Sequence, residues 1–151
     1  MPMTPEPGPG IPEDAGGGVR RLPLPAAHGA VARSRVFTAD ALLDWQWLPG
    51  ADRDRQEVAQ DVLLLVSELV ANACVHTSGP TELTLSRTPE RLRIEVRDRS
   101  RDLPVPYSAH RPGSPGGHGL LIVDRLSSRW GVELGGHGKA VWVEVSAPHG
   151  P

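Results

Sequence analysis

Three polar residues, Glu68, Asn72 and His76, recur at every fourth position inside the apolar run VLLLVSELVANACVHT, residues 62–77. Positions four apart lie one above another on a helix, so a carboxylate, an amide and an imidazole share one stripe. An asparagine oxygen can ligate Mg²⁺, whose other ligands are waters and phosphates. A glutamate one turn earlier can orient or deprotonate a hydroxyl near a terminal phosphate. Spacing alone leaves two readings open. The stripe is either the solvated side of an amphipathic helix or a partly buried site. In the second case a carboxylate beside a core costs roughly several kcal/mol unless something pairs with it.

Two further stretches bear on that choice. In LRIEVRD, residues 92–98, Leu92, Ile94, Val96 and Asp98 fall on one face of a strand. Asp98 thus follows the apolar face to the strand's end, unless it only opens a turn, as aspartate commonly does. In GSPGGHGLLIVDRL, residues 113–126, a Gly-rich segment leads into an amphipathic helix. Free amides at a helix N-terminus attract anions, though a Gly loop is often only a hinge. The GK[ST] ending of a phosphate loop is missing, and no strand closely precedes the segment, so a dinucleotide fingerprint is excluded. His118 is read as facing solvent. Together the three stretches suit a nucleotide: Asp98 accepting from an exocyclic amine, Asn72 holding Mg²⁺, Glu68 as base, the glycines forming a lid.

The elements that must position these residues follow from periodicity. Arg20 to Ala26 reads as a short edge strand weakened by Pro23 and Pro25. Ala32, Val36, Ala39, Leu43 and Trp47 mark a helix over 29–47, ended by Pro49-Gly50. Asp52 or Asp54 caps a second helix running to about Thr77. Two strands joined at Thr88-Pro89-Glu90 form a hairpin. Residues 99–117 form a long loop, which in a compact domain is usually functional or disordered. A third helix spans 118–128, and a second hairpin turns at Gly135-Gly136-His137-Gly138. The expected fold is α+β, a two-layer sandwich whose mixed or antiparallel sheet is covered on one face by about three helices. Residues 1–19, dominated by Pro and Gly, are expected to be a disordered tail; the domain is expected over 20–147 and a short tail over 148–151.

Composition narrows the function classes. The chain has 151 residues, room for one domain with a real core. Its formal charge of −2 provides no global field for nucleic acid. Cys74 is the single cysteine, so no internal disulfide can form. Val62–Val66 is far shorter than the ~20 apolar residues of a bilayer span, and the N-terminus lacks the pattern of a secretion signal. A soluble cytoplasmic protein with no membrane association is expected.

In this order, these residues resemble the ATP-binding fold of sensor histidine kinases, gyrase-type ATPases and heat-shock chaperones. Within it, the chain is most similar to the single-domain branch of anti-sigma-factor serine kinases. ELVANACVHT resembles the first box of that branch, VRDRSRDLPVP the second, GGHGLLIVDRLSSRWGVE the third and GKAVWVEV the closing strand. The resemblance spans about Arg33 to Val145. It implies ATP and Mg²⁺, with Glu68 as general base, Asn72 as the metal ligand and Asp98 on adenine. It further implies His76 near the phosphates, and Gly116, Gly117 and Gly119 shaping the lid. It implies an antagonist-type protein as substrate, a sigma factor as a further partner, and pairing into homodimers. Two positions depart from the pattern. Ser100 and Asp102 stand where the second box has glycines, and Ala140 replaces the threonine after Gly-Lys, removing a hydroxyl expected to support the adenine contact. The alternative is an ATP-dependent interaction module that sequesters a regulatory partner without transferring phosphate.

Overall fold

The computed structural model describes residues 18–48, 52–100 and 117–148. The element order is β1 (Val19–Pro23), α1 (Ala30–Asp44), α2 (Arg53–His76), β2 (Pro80–Arg87), β3 (Arg91–Asp98), α3 (Gly117–Leu126), β4 (Arg129–Gly135) and β5 (Gly138–Ser146). The five strands form one sheet in the order β1-β2-β3-β5-β4, and every pairing is antiparallel. Helices α1 and α2 lie against the sheet, and α3 packs on α2. The α+β sandwich thus agrees with the sequence reading, its sheet being antiparallel. Most of the tail expected over 1–19 and of the long loop lies outside the described residues.

Asp52 caps α2, its side chain accepting from the Arg55 N–H at 2.9 Å. The buried face of α2 comprises Ala59, Val62, Leu65, Val66, Leu69, Val70 and Ala73, at helical spacing. These meet Leu83, Leu85, Leu92, Ile94 and Val96 of the sheet in one apolar core. By length and hydropathy α2 could cross a membrane, as its 24 residues include an 18-residue window of mean hydropathy 1.6. One side of it is nonetheless core.

Helix α1 forms where periodicity placed it, but the stripe that revealed it is not its buried side. Val36 is 63% exposed and Leu43 50% exposed, and Ala32 is exposed as well. The buried face is instead Ala30, Ser34, Thr38, Ala41 and Leu42. These mostly small residues turn toward the neighbouring helix, with the Thr38 hydroxyl bonded back to the Ser34 carbonyl at 2.7 Å. The helix also stops short of Trp47. Gln46 adopts a left-handed φ of 64°, the Gln46 N–H reaches the Leu43 carbonyl, and the Trp47 N–H reaches that of Leu42. This is a Schellman end, and it returns Trp47 to the core.

The sheet face away from the helices is polar yet largely covered. Trp142 lies flat over Gly131, where any Cβ would stand 2.8 Å from the indole ring. The Arg93 and Arg129 guanidinium groups stack on that indole at 4.5 and 5.7 Å. Beside it Glu95 is buried, with Arg93 at 3.7 Å and Arg97 at 4.0 Å, beyond hydrogen-bond reach. Burial pushes the Glu95 carboxyl above its ordinary range; Arg93 and Arg97 oppose the rise and Glu133 adds to it.

A raised carboxyl pKa favours the protonated folded state. The stability from Glu95 is therefore full below the unfolded carboxyl value of about 4.3 and is lost as pH climbs through the folded value. Glu95→Gln should flatten the decline over that window. Stability at pH 7 should be unchanged or higher, because Arg93 keeps Glu133 at 2.9 Å. Urea midpoints from pH 4 to 8 measure this. A clearly lower midpoint at pH 7 would show that the ionised carboxylate is a net favourable partner.

Candidate functional site

The register brings the predicted residues to one end of the sandwich. Helix α2 ends at His76, and three residues beyond its cap Thr77 the chain enters β2 at Pro80, which stands opposite Asp98 in the sheet. The last turns of α2, the start of β2 and the end of β3 therefore share an end. The β4–β5 turn joins them, since Asp98 pairs with Lys139 across β3 and β5. Gly138 is required there, because a Cβ would collide with the Asp98 carbonyl.

On α2, Glu68 and Asn72 are half-buried, and His76 in the final turn is exposed. The Asn72 side-chain oxygen is buried and takes no hydrogen bond from the described residues. A buried polar atom without a partner is costly, and it marks the place for a ligand or cation to supply one. Among the described residues no group of three or more His, Cys, Asp or Glu could hold a metal by itself. Asn72 with phosphate and water oxygens remains the donor set that suits Mg²⁺. Gly117 and Gly119 fall in the first turns of α3 rather than in the loop before it, and Gly116 lies outside the described residues.

Asp98 is buried, as its parity predicts. It is not alone. Its Oδ1 accepts from the Lys139 ammonium at 2.9 Å and from the Ser100 N–H at 2.8 Å, and the same ammonium reaches the Ser100 carbonyl at 3.4 Å. The side chains of Lys139 and Asp98 are only 4% and 2% exposed. The sequence reading missed Lys139. Its signal was the parity already used for Asp98, because Lys139 alternates in phase with Val141, Val143 and Val145. The same alternation corrects the reading of Ala140, whose side chain projects to the open face, across from Arg97 and Glu133. In this fold position 140 does not face Asp98.

An open concavity of about 430 Å³ adjoins the pair, its walls including Thr81, Arg97, Arg99 and the β4–β5 turn. None of Glu68, Asn72 and His76 lines this concavity; the chain path places the end of their helix and the Asp98–Lys139 pair at the same end of the sandwich.

The profile of the histidine kinase-like ATPase domain matches residues 25–145, and the chain belongs to that family of ATP-binding domains. Two structures similar to it both come from a blue-light activated histidine kinase of Erythrobacter litoralis EL346. One is 27% identical with a TM-score of 0.41, covering 59% of this chain and 30% of that one. The other, its histidine kinase domain, is 22% identical with a TM-score of 0.42, covering 80% and 60%. The chain therefore spans less than two thirds of either. No curated protein matches it.

Because Lys139 and Asp98 are both buried, removing one charge strands the other. Asp98→Asn without nucleotide should cost about 3–5 kcal/mol, the usual penalty for an uncompensated buried charge. The double change Asp98→Leu with Lys139→Leu should cost less than the single one. Chemical denaturation of the three proteins compares them. Equal losses for single and double variants would mean that the pair is not coupled.

Proposed function

We propose that this protein binds ATP·Mg²⁺ and transfers the γ-phosphoryl group to a serine of an antagonist-type regulatory protein, as its resemblance to anti-sigma-factor kinases implies. The observation that supports it most is the buried, partnerless Asn72 oxygen one turn from Glu68. Asn72 is suited to hold Mg²⁺, which when bound neutralises charge between the phosphates. In this reading Glu68 takes the proton of the attacking serine hydroxyl, while Asp98 accepts from the base through the oxygen that Lys139 leaves free. In this reading a sigma factor is a further partner and the cytoplasm the site of action.

The second reading, a module that binds ATP and switches partners without chemistry, draws support from Asp98 itself. Its Oδ1 is already occupied, which limits how firmly the base can be held. Glu68→Gln separates the two. It keeps shape and hydrogen bonding but loses proton acceptance, so phosphotransfer should fall by about 10²–10⁴-fold with ATP affinity and melting temperature nearly unchanged. Asn72→Ala should lose Mg²⁺-dependent ATP binding in the same assay. Binding without transfer in the wild-type protein, across a panel of antagonist proteins, would favour the module; unaltered transfer in Glu68→Gln would remove the base.

The homodimer implied by the resemblance has a candidate face in α1. Ala32, Val36 and Leu43 form an exposed apolar stripe, with Arg33 and Asp40 two turns apart on one flank. Antiparallel pairing with a second copy would set each Arg33 near the partner's Asp40 and cover both stripes. Sedimentation should then show a dimer that Leu43→Asp dissociates. Arg33→Asp should weaken it, and Arg33→Asp combined with Asp40→Arg should restore it. A wild-type monomer at all concentrations would exclude this face.

A further inference from the structure

We propose that Lys139 is a specificity-determining residue that donates to the adenine ring nitrogen N1, beside the amine taken by Asp98, so that the site tests two atoms of the base. The inference rests on the nucleotide reading of this protein and deepens it.

The two groups are fixed against each other. Lys139 stands opposite Asp98 in the register of β3 and β5. Its ammonium lies 2.9 Å from Asp98 Oδ1 and reaches the Ser100 carbonyl at 3.4 Å. The Ser100 N–H holds the same Oδ1 at 2.8 Å. With side chains only 4% and 2% exposed, Lys139 and Asp98 are held in one order. Each nevertheless keeps an unused position. An ammonium has three N–H donors and no acceptor. Two on Lys139 are directed at Asp98 and Ser100, and the third has no acceptor among the described residues. Both bonds that Asp98 accepts fall on Oδ1, so Oδ2 takes none among the described residues.

Adenine carries the complement of this pair on adjacent atoms. Its N6 amine is a donor and meets Oδ2, and its N1 is an acceptor and meets the third N–H of Lys139. The second bond has an ionised donor, which makes it stronger than one between neutral groups. Guanine fails at both atoms. Its O6 faces a carboxylate oxygen, acceptor against acceptor, and its N1–H faces an ammonium, donor against donor. The reverse pairing requires the ring to be turned over, which carries the ribose to the opposite side. In a buried site water does not repair either mismatch. A Lys139 that served only to neutralise Asp98 would be indifferent to N1, and this separates the two roles.

The test is titration of the intact chain, with Mg²⁺ present, by ATP, GTP and 1-deaza-ATP, in which a C–H replaces N1. Wild type and Lys139→Met are compared, with melting temperatures recorded alongside. Wild type should bind 1-deaza-ATP about tenfold or more weakly than ATP. It should bind GTP more weakly still, by at least about 10²-fold relative to ATP. Lys139→Met should lose ATP affinity until ATP and 1-deaza-ATP bind alike. A wild type that does not distinguish ATP from 1-deaza-ATP overturns the proposal, as does one that binds GTP as well as ATP. An undiminished preference for ATP over 1-deaza-ATP in Lys139→Met also overturns it, leaving Lys139 as the counter-charge of Asp98. In each of these results ATP still binds and the nucleotide reading stands. Failure of wild type to bind ATP removes that reading and the proposal with it. Should Lys139→Met not fold, the two wild-type ratios decide.

Discussion

Helix α2 has to satisfy two opposed demands along its 24 residues, and the arrangement of the molecule follows from how it does so. One face must bury seven apolar residues against the sheet and α1. An adjacent flank must hold Glu68 and Asn72 out of full solvent without sealing them into hydrocarbon. A helix lying flat on a sheet allows this, because its buried arc is wide but not complete. Residues at the arc's border stay half-buried, where a carboxylate keeps some water and an amide can lose all of it. The Asn72 oxygen is in the second condition. Moving the stripe one position round the helix would give either a stranded core charge or an ordinary surface residue.

The sheet supplies the complementary half of the site through its register. Asp98 and Lys139 are 41 positions apart, yet adjacent strands place them directly opposite. A slip of one residue would send both to the open face and bring Arg97 and Ala140 inward. Two glycines help hold the register. Gly138 allows the β4–β5 turn to close against the Asp98 backbone, and Gly131 leaves room for the indole of Trp142. The open face then acts as a clamp. Arg93 touches Glu133 and Trp142, and Arg129 touches Glu144 and Trp142, tying β3, β4 and β5 together by their outward side chains.

Much of this was legible in the sequence, for identifiable reasons. The strands alternate cleanly and the helices keep their period, so every element lies near its expected position. The end of β3 was legible too, because Asp98 keeps the parity of Leu92, Ile94 and Val96. The orientation of α1 was not. Its largest apolar residues form one stripe, and the natural inference buries them, whereas the fold buries Ala30, Ser34, Thr38, Ala41 and Leu42. Side-chain size along one helix says nothing of how closely its neighbour must approach, and small residues win where helices lie close. The partner of Asp98 was hidden for a different reason. Within a motif Lys139 looks like a turn residue, and only its phase with the valines of β5 shows that it points inward.

That lysine changes what the site has to do on binding. Had Asp98 stood unpaired, an incoming base would have had to compensate a buried charge, and the free protein would have carried the cost of keeping it ionised. With Lys139 in contact, the charge is already balanced, and Ser100 contributes its N–H to the same oxygen. On the proposed nucleotide reading the site is built before the ligand arrives, and a base would add to the pair instead of replacing half of it. Preorganisation of this kind lowers the cost of binding. In this fold Ala140 projects to the open face, and the inward-facing residue of β5 beside Asp98 is Lys139.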